Sequence, residues 1–192
     1  MNTDDADVQT MLRLKGGDDL ALNELMGRWQ NPLTGFILRY TGNEQDALDL
    51  AQETFVRVFE HRDSYEPRSK FSTWLFTIAT NLCRNQARWR ERHPTVTLHG
   101  SGEDDDPGLE DTMPAPGDTP ADSAARHDLA SAVRAHVQKL PHDLRTVVLL
   151  FEYQELGYDE IAATLGCTPK AVETRLYRAR KILREALARW KI

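Results

Sequence analysis

Residues 158–183 read YDEIAATLGCTPKAVETRLYRARKIL, and this stretch decides the fold. Its first part places Ile161, Ala162 and Leu165 on one side of a helix and then reaches Gly166, a residue that ends helices at little conformational cost. A Thr-Pro pair follows at residues 168–169, which suits a helix cap and the first position of a new helix. The pattern therefore predicts two short helices joined by a tight turn, a helix-turn-helix.

The second predicted helix has an apolar side and a basic side. Its inward stripe consists of Val172, Leu176, Ala179 and Leu183. The residues predicted to face outward are Lys170, Glu173, Thr174, Tyr177, Arg178 and Lys181. From residue 169 to the end of the chain there are eight basic and two acidic residues, a surplus that suits contact with DNA phosphates. An ordinary helical hairpin with a solvated basic face stays open as the alternative.

Charge is distributed unevenly along the chain, whose net charge is -6. Residues 94–125 have eight acidic and no basic side chains, and they are rich in Pro, Gly, Asp and Thr. This composition cannot bury enough apolar area to fold, so it predicts a flexible acidic linker. The linker would separate one domain at residues 1–93 from another at 126–192. Neither flank alternates as a strand does, so the predicted fold class is all-α, with two small helical domains.

The first domain is predicted to contain four helices. Asp18 is expected to cap the second helix, Pro32 to kink or interrupt it, and Gly42 to end it. Asn43 with Asp46 predicts the capped start of the third helix. The apolar side of that third helix is predicted to consist of Leu48, Ala51, Phe55, Val58 and Phe59.

The fourth predicted helix, FSTWLFTIATNLCRNQARWRER at residues 71–92, has an unusual polar side. Hydroxyl, amide and guanidinium groups share that side: Thr77, Thr80, Asn81, Arg84, Arg88 and Arg92. Arg neutralises phosphate, Asn offers a paired donor and acceptor to base edges, and an aromatic such as Tyr65 in the preceding loop can stack on unpaired bases. Trp74 in particular is expected to pack in the core, and core packing is also the alternative for Trp89. This side is a candidate nucleic-acid surface.

Three segments, in this order, resemble bacterial RNA polymerase sigma factors of the extracytoplasmic-function (ECF) type. DALDLAQETFVRVFEH, from Asp46, resembles the polymerase-docking helix of that family. FSTWLFTIATNLCRNQARWR, from Phe71, resembles its helix that reads the minus-ten promoter element. The stretch from Leu140 to Leu183 resembles its second domain, which reads the minus-thirty-five element. The resemblance covers nearly the whole chain except the linker.

The resemblance implies partners and residue roles. Core RNA polymerase would contact Asp49, Gln52 and Glu53 through the clamp helices of its largest subunit, and the C-terminal domain through its flap region. The residues implied in minus-ten recognition are Tyr65, Thr77, Asn81, Arg84, Asn85 and Arg88. Those implied in minus-thirty-five recognition are Lys170, Glu173, Thr174, Tyr177, Arg178 and Lys181. Promoter DNA and an anti-sigma factor complete the expected partners.

Two residues depart from the family pattern. Glu173 stands where some members have a basic residue; it can accept from a cytosine amino group but repels phosphate, so an altered promoter preference is expected. Gly157 stands where a Ser or Thr cap is common before the first helix of the motif, which predicts a weaker helix start.

Two other functional classes fit the sequence less well. A free-standing helix-turn-helix regulator would need its own dimer contact or effector site, and the sequence has no signature of either. An enzyme would need a metal-binding carboxylate cluster, a Walker loop or an activated nucleophile, so no catalysis is expected. The six histidines and two cysteines have no ligand spacing, so no metal or cofactor is predicted. No membrane insertion and a cytoplasmic location are expected.

Overall fold

The computed structural model describes residues 3–93 and 120–190 of the 192-residue chain. Within those ranges it is helical and contains no strand, which confirms the all-α fold class. The first lobe has the four long helices that the sequence predicts: α1 (Thr3–Lys15), α2 (Leu20–Thr41), α3 (Glu44–Glu60) and α4 (Phe71–Arg92). No helix among the described residues is long and apolar enough to cross a membrane.

The ends of α2 correct one sequence expectation and confirm another. Asp18 does not cap the helix; its carboxylate accepts from Nη2 of Arg13 at 2.6 Å instead. Pro32 does not interrupt α2, which is continuous because buried residues on both sides of the proline hold it against the core. Gly42 ends the helix with φ +68°, a left-handed conformation that glycine adopts readily. Asn43 caps α3 as predicted, its side chain accepting from the amide of Asp46 at 2.9 Å.

Aromatic side chains fill the core of the first lobe. Phe36 and Phe76 meet edge to face with ring centroids 5.2 Å apart, and Trp29 packs edge-on against Phe76 at 6.1 Å. The indole Nε1 of Trp29 donates to Asp7 at 2.9 Å. Asp7 is buried, and its carboxylate lies 2.7 Å from Nε of Arg28, so an ion pair ties α1 to α2.

The second lobe contains α5 (Pro120–Gln138), α6 (His142–Glu152), α7 (Tyr158–Leu165) and α8 (Pro169–Ala186). Because α5 begins at Pro120, residues 120–125 are helical and do not belong to a linker, contrary to the predicted boundary. Proline at the first turn and several alanines favour this helix despite the acidic residues nearby. The rest of the predicted linker, residues 94–119, lies outside the described residues.

Helices α7 and α8 form the predicted helix-turn-helix. Gly166 ends α7 at φ +61°, and the Thr168 hydroxyl accepts from the amide of Ala171 at 3.2 Å to cap α8. The predicted weakness at Gly157 is compensated, because the Glu160 carboxylate accepts from the Gly157 amide at 2.8 Å. The predicted inward stripe of α8 is confirmed: Val172, Leu176 and Ala179 are buried, and Leu183 is half-buried.

The two cysteines are free thiols in different surroundings. Cys83 is fully buried on the inner side of α4, and burial raises the pKa of its thiol to about 12. Cys167 is half-buried in the turn between α7 and α8. Cys83 therefore serves as a packing residue.

Truncation of a buried side chain of α8 should lower the stability of the second lobe. We expect Leu176→Ala to lower the free energy of unfolding by about 2–5 kcal/mol, because Leu176 is buried and its truncation leaves a cavity. Thr174→Ala, on the exposed side of the same helix, is the control and should change it by no more than about 0.5 kcal/mol. Urea denaturation measures both; equal effects would contradict the assignment of the buried side.

Candidate nucleic-acid interface

The polar side of α8 faces solvent. All six residues predicted there are exposed, and the Tyr177 side chain is 72% exposed. The Thr174 hydroxyl donates to the carbonyl of Lys170 at 2.8 Å, which holds it against the helix. Nζ of Lys170 lies 2.7 Å from the Glu173 carboxylate. In the free protein, Glu173 therefore neutralises part of the positive surface at the start of the helix.

Two basic residues of α8 are engaged inside the second lobe. Arg175 is half-buried, with Nη2 3.8 Å from Asp143 and Nη1 3.6 Å from the Cys167 sulfur. Arg180 pairs with Glu152 at 3.0 Å, and its guanidinium lies over the Phe151 ring at 5.2 Å. The basic surplus of the sequence therefore serves partly to attach α8 to α6, and only part of it faces outward.

The six candidate residues around α4 do not share one environment. Asn81, Asn85 and Arg88 are exposed along one side of the helix. Thr77 and Arg84 are half-buried and are turned toward the second lobe. The structure thus groups the two amides with Arg88 but separates them from the other candidates.

Tyr65 does not lie on the surface, so the expectation that its ring stacks on a base is wrong for this conformation. The side chain is fully buried, its hydroxyl donates to the carbonyl of Ser69 at 2.8 Å, and its ring packs edge-on against Trp74 at 5.3 Å. Burial raises the pKa of the phenol to about 12. Tyr65 therefore supports the loop before α4 from inside. Thr80, also expected outside, is buried and donates to the carbonyl of Thr77.

His142 of α6 joins the two lobes. Nε of Arg84 donates to Nε2 of His142 at 2.8 Å, so Nδ1 must hold the proton of the neutral ring. Nδ1 then donates to the hydroxyl of Tyr40 on α2. Burial, followed by the charge of Arg84, lowers the pKa of His142 to about 4, so the imidazole is neutral near pH 7. No sequence pattern pointed to this residue.

Further contacts extend the junction along α2 and α4. Nη1 of Arg145 donates to the carbonyl of Tyr40 at 2.9 Å. Lys70, just before α4, pairs with Glu160 of α7 at 2.9 Å. The Thr77 hydroxyl lies 3.4 Å from the carbonyl of Thr164 in α7. The second lobe therefore covers part of the side of α4 that was assigned to nucleic acid.

The outer side of α3 combines polar and apolar groups. The three candidates lie there: Asp49 accepts from Gln45 at 3.0 Å, Gln52 is exposed, and Glu53 is paired with Arg57 at 2.8 Å. Leu48, expected to face inward, is instead 42% exposed, and Val56 is 49% exposed. These two were missed, although their four-residue spacing from Gln52 places all three in one row.

Among the residues that the structure describes, no group of three or more His, Cys, Asp or Glu side chains is arranged to hold a metal ion. The chemistry available at these surfaces consists of hydrogen bonding, charge pairing and stacking.

Comparison with known proteins agrees with this layout. The chain matches the family Sigma-70 region 2 over residues 25–93 and the family Sigma-70, region 4 over residues 131–183. Among curated relatives, the RNA polymerase sigma-H factor of Pseudomonas aeruginosa is 32% identical over 97% of this chain and 96% of its own length. The ECF RNA polymerase sigma-E factor of Haemophilus influenzae is 33% identical over 89% of each chain.

Two solved structures have a similar fold over most of their length. CnrH, in complex with the cytosolic domain of CnrY, has a TM-score of 0.70 and 27% identity, covering 95% of this chain and 97% of that one. The sigma factor RpoE of Bartonella quintana, in complex with the anti-sigma factor NepR, has a TM-score of 0.65 and 25% identity, covering 86% and 96%. The chain is thus a member of the ECF group of RNA polymerase sigma factors, which direct the polymerase to promoters for transcription initiation.

Proposed function

We propose that this sigma factor reads the minus-ten element as single-stranded DNA with α4 and the minus-thirty-five element as duplex with α8, in the cytoplasm. The observation that supports this most directly is that each lobe has its own exposed polar helix side. The alternative of a free-standing regulator is disfavoured, because such a protein has no need of the region 2 match over residues 25–93.

Minus-ten recognition would depend on Asn81 and Asn85, which lie one turn apart and expose their amides. The Watson–Crick edge of a base becomes available to an amide only after the base has left the duplex, and Arg88 can hold the adjacent phosphate. Preferential binding to the single strand shifts the DNA toward the melted state by mass action. The proposed role therefore needs no catalysis and no nucleotide hydrolysis.

Minus-thirty-five recognition would depend on the outward side of α8. Glu173 can accept from a cytosine amino group, and doing so would release Lys170 from their ion pair to contact a phosphate. Thr174, Tyr177 and Arg178 follow along the same side. The exchange of partners between Lys170 and Glu173 makes promoter preference sensitive to the base opposite Glu173.

Docking on the polymerase would use the outer side of α3. Asp49, Gln52 and Glu53 suit a basic partner, such as the clamp helices of the largest subunit. Leu48 and Val56 add apolar area that becomes buried on docking. The C-terminal lobe would contact the flap region. An anti-sigma factor is a further proposed partner, since RpoE was solved with the anti-sigma factor NepR and CnrH with the cytosolic domain of CnrY.

The closed arrangement of the lobes cannot contact both promoter elements at once. Helix α7 contacts both α4 and α8, and α8 is about 27 Å long, so every residue of α8 lies within about 40 Å of α4. The two elements are about 25 base pairs, or about 85 Å, apart. The 26 residues of 94–119 can span at most about 90 Å. The lobes must therefore separate at the His142 junction before both elements are bound.

Removal of one amide on α4 should impair promoter melting. We expect Asn81→Ala to weaken binding of the minus-ten single strand by about 1–3 kcal/mol and to leave association with core polymerase unchanged, because it contacts only the base. Permanganate reactivity of the promoter and a core-binding titration measure the two effects. Asn31→Ala, an exposed amide on α2, is the matched control. Equal loss of melting and of core binding would refute the assignment.

Removal of one guanidinium on α8 should lower promoter selectivity. We expect Arg178→Ala to cost about 1–3 kcal/mol on a promoter with an intact minus-thirty-five element and much less on one in which that element is scrambled. The neighbouring Arg180→Ala is the control, because Arg180 is engaged with Glu152, and it should affect both templates alike. Run-off transcription by the reconstituted holoenzyme measures both. The assignment fails if Arg178→Ala also affects the two templates equally.

Acidification should open the free protein. Because the pKa of His142 is lowered from 6.5 to about 4 in the closed form, the junction is fully stable above pH 6.5 and loses stability as the pH falls toward 4. The protonated ring would face Arg84, Arg88 and Arg145, with Asp143 as the one opposing charge. Small-angle scattering should show the radius of gyration rising over this window.

The matched variant for this experiment is His142→Asn, which can still hydrogen-bond but does not titrate. Its radius of gyration should stay constant from pH 6.5 to pH 4. An unchanged pH dependence in the variant would assign the opening to other groups.

A further inference from the structure

The exposed side of α4 is ordered into two parallel rows that extend beyond the residues assigned so far. Residues four apart along a helix lie one above the other. The first row is Asn81, Asn85 and Trp89. The second begins at Arg84, which is half-buried at the junction with His142, and continues with the exposed Arg88 and Arg92. The first row thus ends in an indole, beside a row of guanidinium groups.

Trp89 differs from the other two tryptophans of the first lobe. Trp29 donates to Asp7 and packs against the core, and Trp74 packs against Tyr65, so both are held by buried neighbours. Trp89 is 47% exposed, which contradicts the alternative of core packing. It is also the one large apolar side chain among the described residues of α4 that is exposed.

The indole of Trp89 is held in a defined orientation. The imidazole of His93 stacks on it, with centroids 4.9 Å apart and an interplanar angle of 22°. Nδ1 of His93 donates to the carbonyl of Trp89 at 3.0 Å, which fixes the imidazole at the end of the helix. Arg92 is directed back along the helix, its Nε donating to the carbonyl of Arg88 at 3.2 Å. The ring is therefore oriented, half in solvent, and bordered by positive charge.

We propose that Trp89 is a stacking platform for an unpaired base of the promoter, with Arg88 and Arg92 at the flanking phosphates. This inference rests on the proposed function of α4. Trp89 lies eight residues after Asn81, about 12 Å along the helix, which corresponds to three or four stacked nucleotides. The stacked base accordingly lies three or four positions from the base at Asn81.

Charge and shape favour a nucleic-acid strand over a protein partner at this surface. A protein interface would need a wider apolar patch, whereas Trp89 is a single apolar group among polar ones. An unpaired base needs one flat ring and a nearby cation for its phosphate, and this end of α4 provides both. Arg90, on the far side, is engaged with Asp46 and takes no part.

The test uses holoenzyme reconstituted with core polymerase and a promoter template with a premelted minus-ten region. The base 2-aminopurine is placed at successive positions, one per template. At one position, three or four nucleotides from the base that Asn81→Ala affects, its fluorescence should be quenched. Trp89→Leu should abolish that quenching and weaken binding about 5- to 150-fold. Trp89→Tyr should restore both, because it returns an aromatic ring.

Controls separate a platform from a purely structural residue. Leucine keeps the helix propensity of position 89, and thermal denaturation verifies that Trp89→Leu is folded. Leu20→Ala, which removes another highly exposed apolar side chain of the same lobe, should leave the quenching and the affinity unchanged.

The possible outcomes distinguish this inference from the proposed function. If Asn81→Ala weakens binding while no 2-aminopurine position responds to Trp89→Leu, the platform is refuted and the proposed function stands. If neither variant affects the premelted template, the proposed function of α4 fails as well. If Trp89→Leu weakens association with core polymerase in the absence of DNA, the partner at this surface is a protein and the platform is refuted.

Discussion

The hydrogen bonds of His142 to Arg84 and Tyr40 set the relation between the two lobes. A neutral imidazole satisfies both partners at once, and a protonated one would place a second cation against Arg84. The same contact removes Arg84 from the set of groups available to phosphate. One side chain therefore contributes both to the closed arrangement of the lobes and to the availability of Arg84, and the proposed function requires that this contact be given up when both promoter elements are bound.

In each lobe, one side of an α-helix is buried for stability while the other side stays available to a partner. In α8 the buried stripe and two arginines attach the helix to α6, so the outward side is presented on a rigid support. In α4 the support comes from Cys83 and the aromatic core, and Tyr65 holds the preceding loop from inside. Rigid support of this kind reduces the conformational entropy lost when DNA binds.

Local signals in the sequence were sufficient for most of the fold. The caps at Asn43 and Thr168 and the left-handed ends at Gly42 and Gly166 follow from properties of single residues, and they were predicted. The inward stripe of α8 follows from helical period alone. The start of α5 was not predicted. The acidic composition around residues 120–125 indicated a linker, although their alanines favour a helix.

Side-chain environments that depend on tertiary packing could not be predicted in this way. The sequence pattern does not show that Tyr65, in the loop before α4, turns inward or that Leu48 of α3 stays exposed. Both depend on which neighbouring helix packs against them. The partial burial of Thr77 and Arg84 depends on a lobe more than 50 residues further along the chain. Trp89 could have been recognised from its four-residue spacing after Asn85, but an isolated tryptophan is usually assigned to the core.

Gly42 separates the packing of the two lobes from the recognition of the promoter. This glycine ends α2 in a left-handed conformation, and a Cβ atom there would overlap the side-chain amide of Gln138, the last residue of α5. Any larger residue would force the end of the Gln138 side chain to move and would itself be strained at this positive φ. A substitution at Gly42 therefore acts on the contact between α2 and α5 and leaves every residue proposed to contact DNA unchanged, so the packing of the lobes and the choice of promoter depend on different positions.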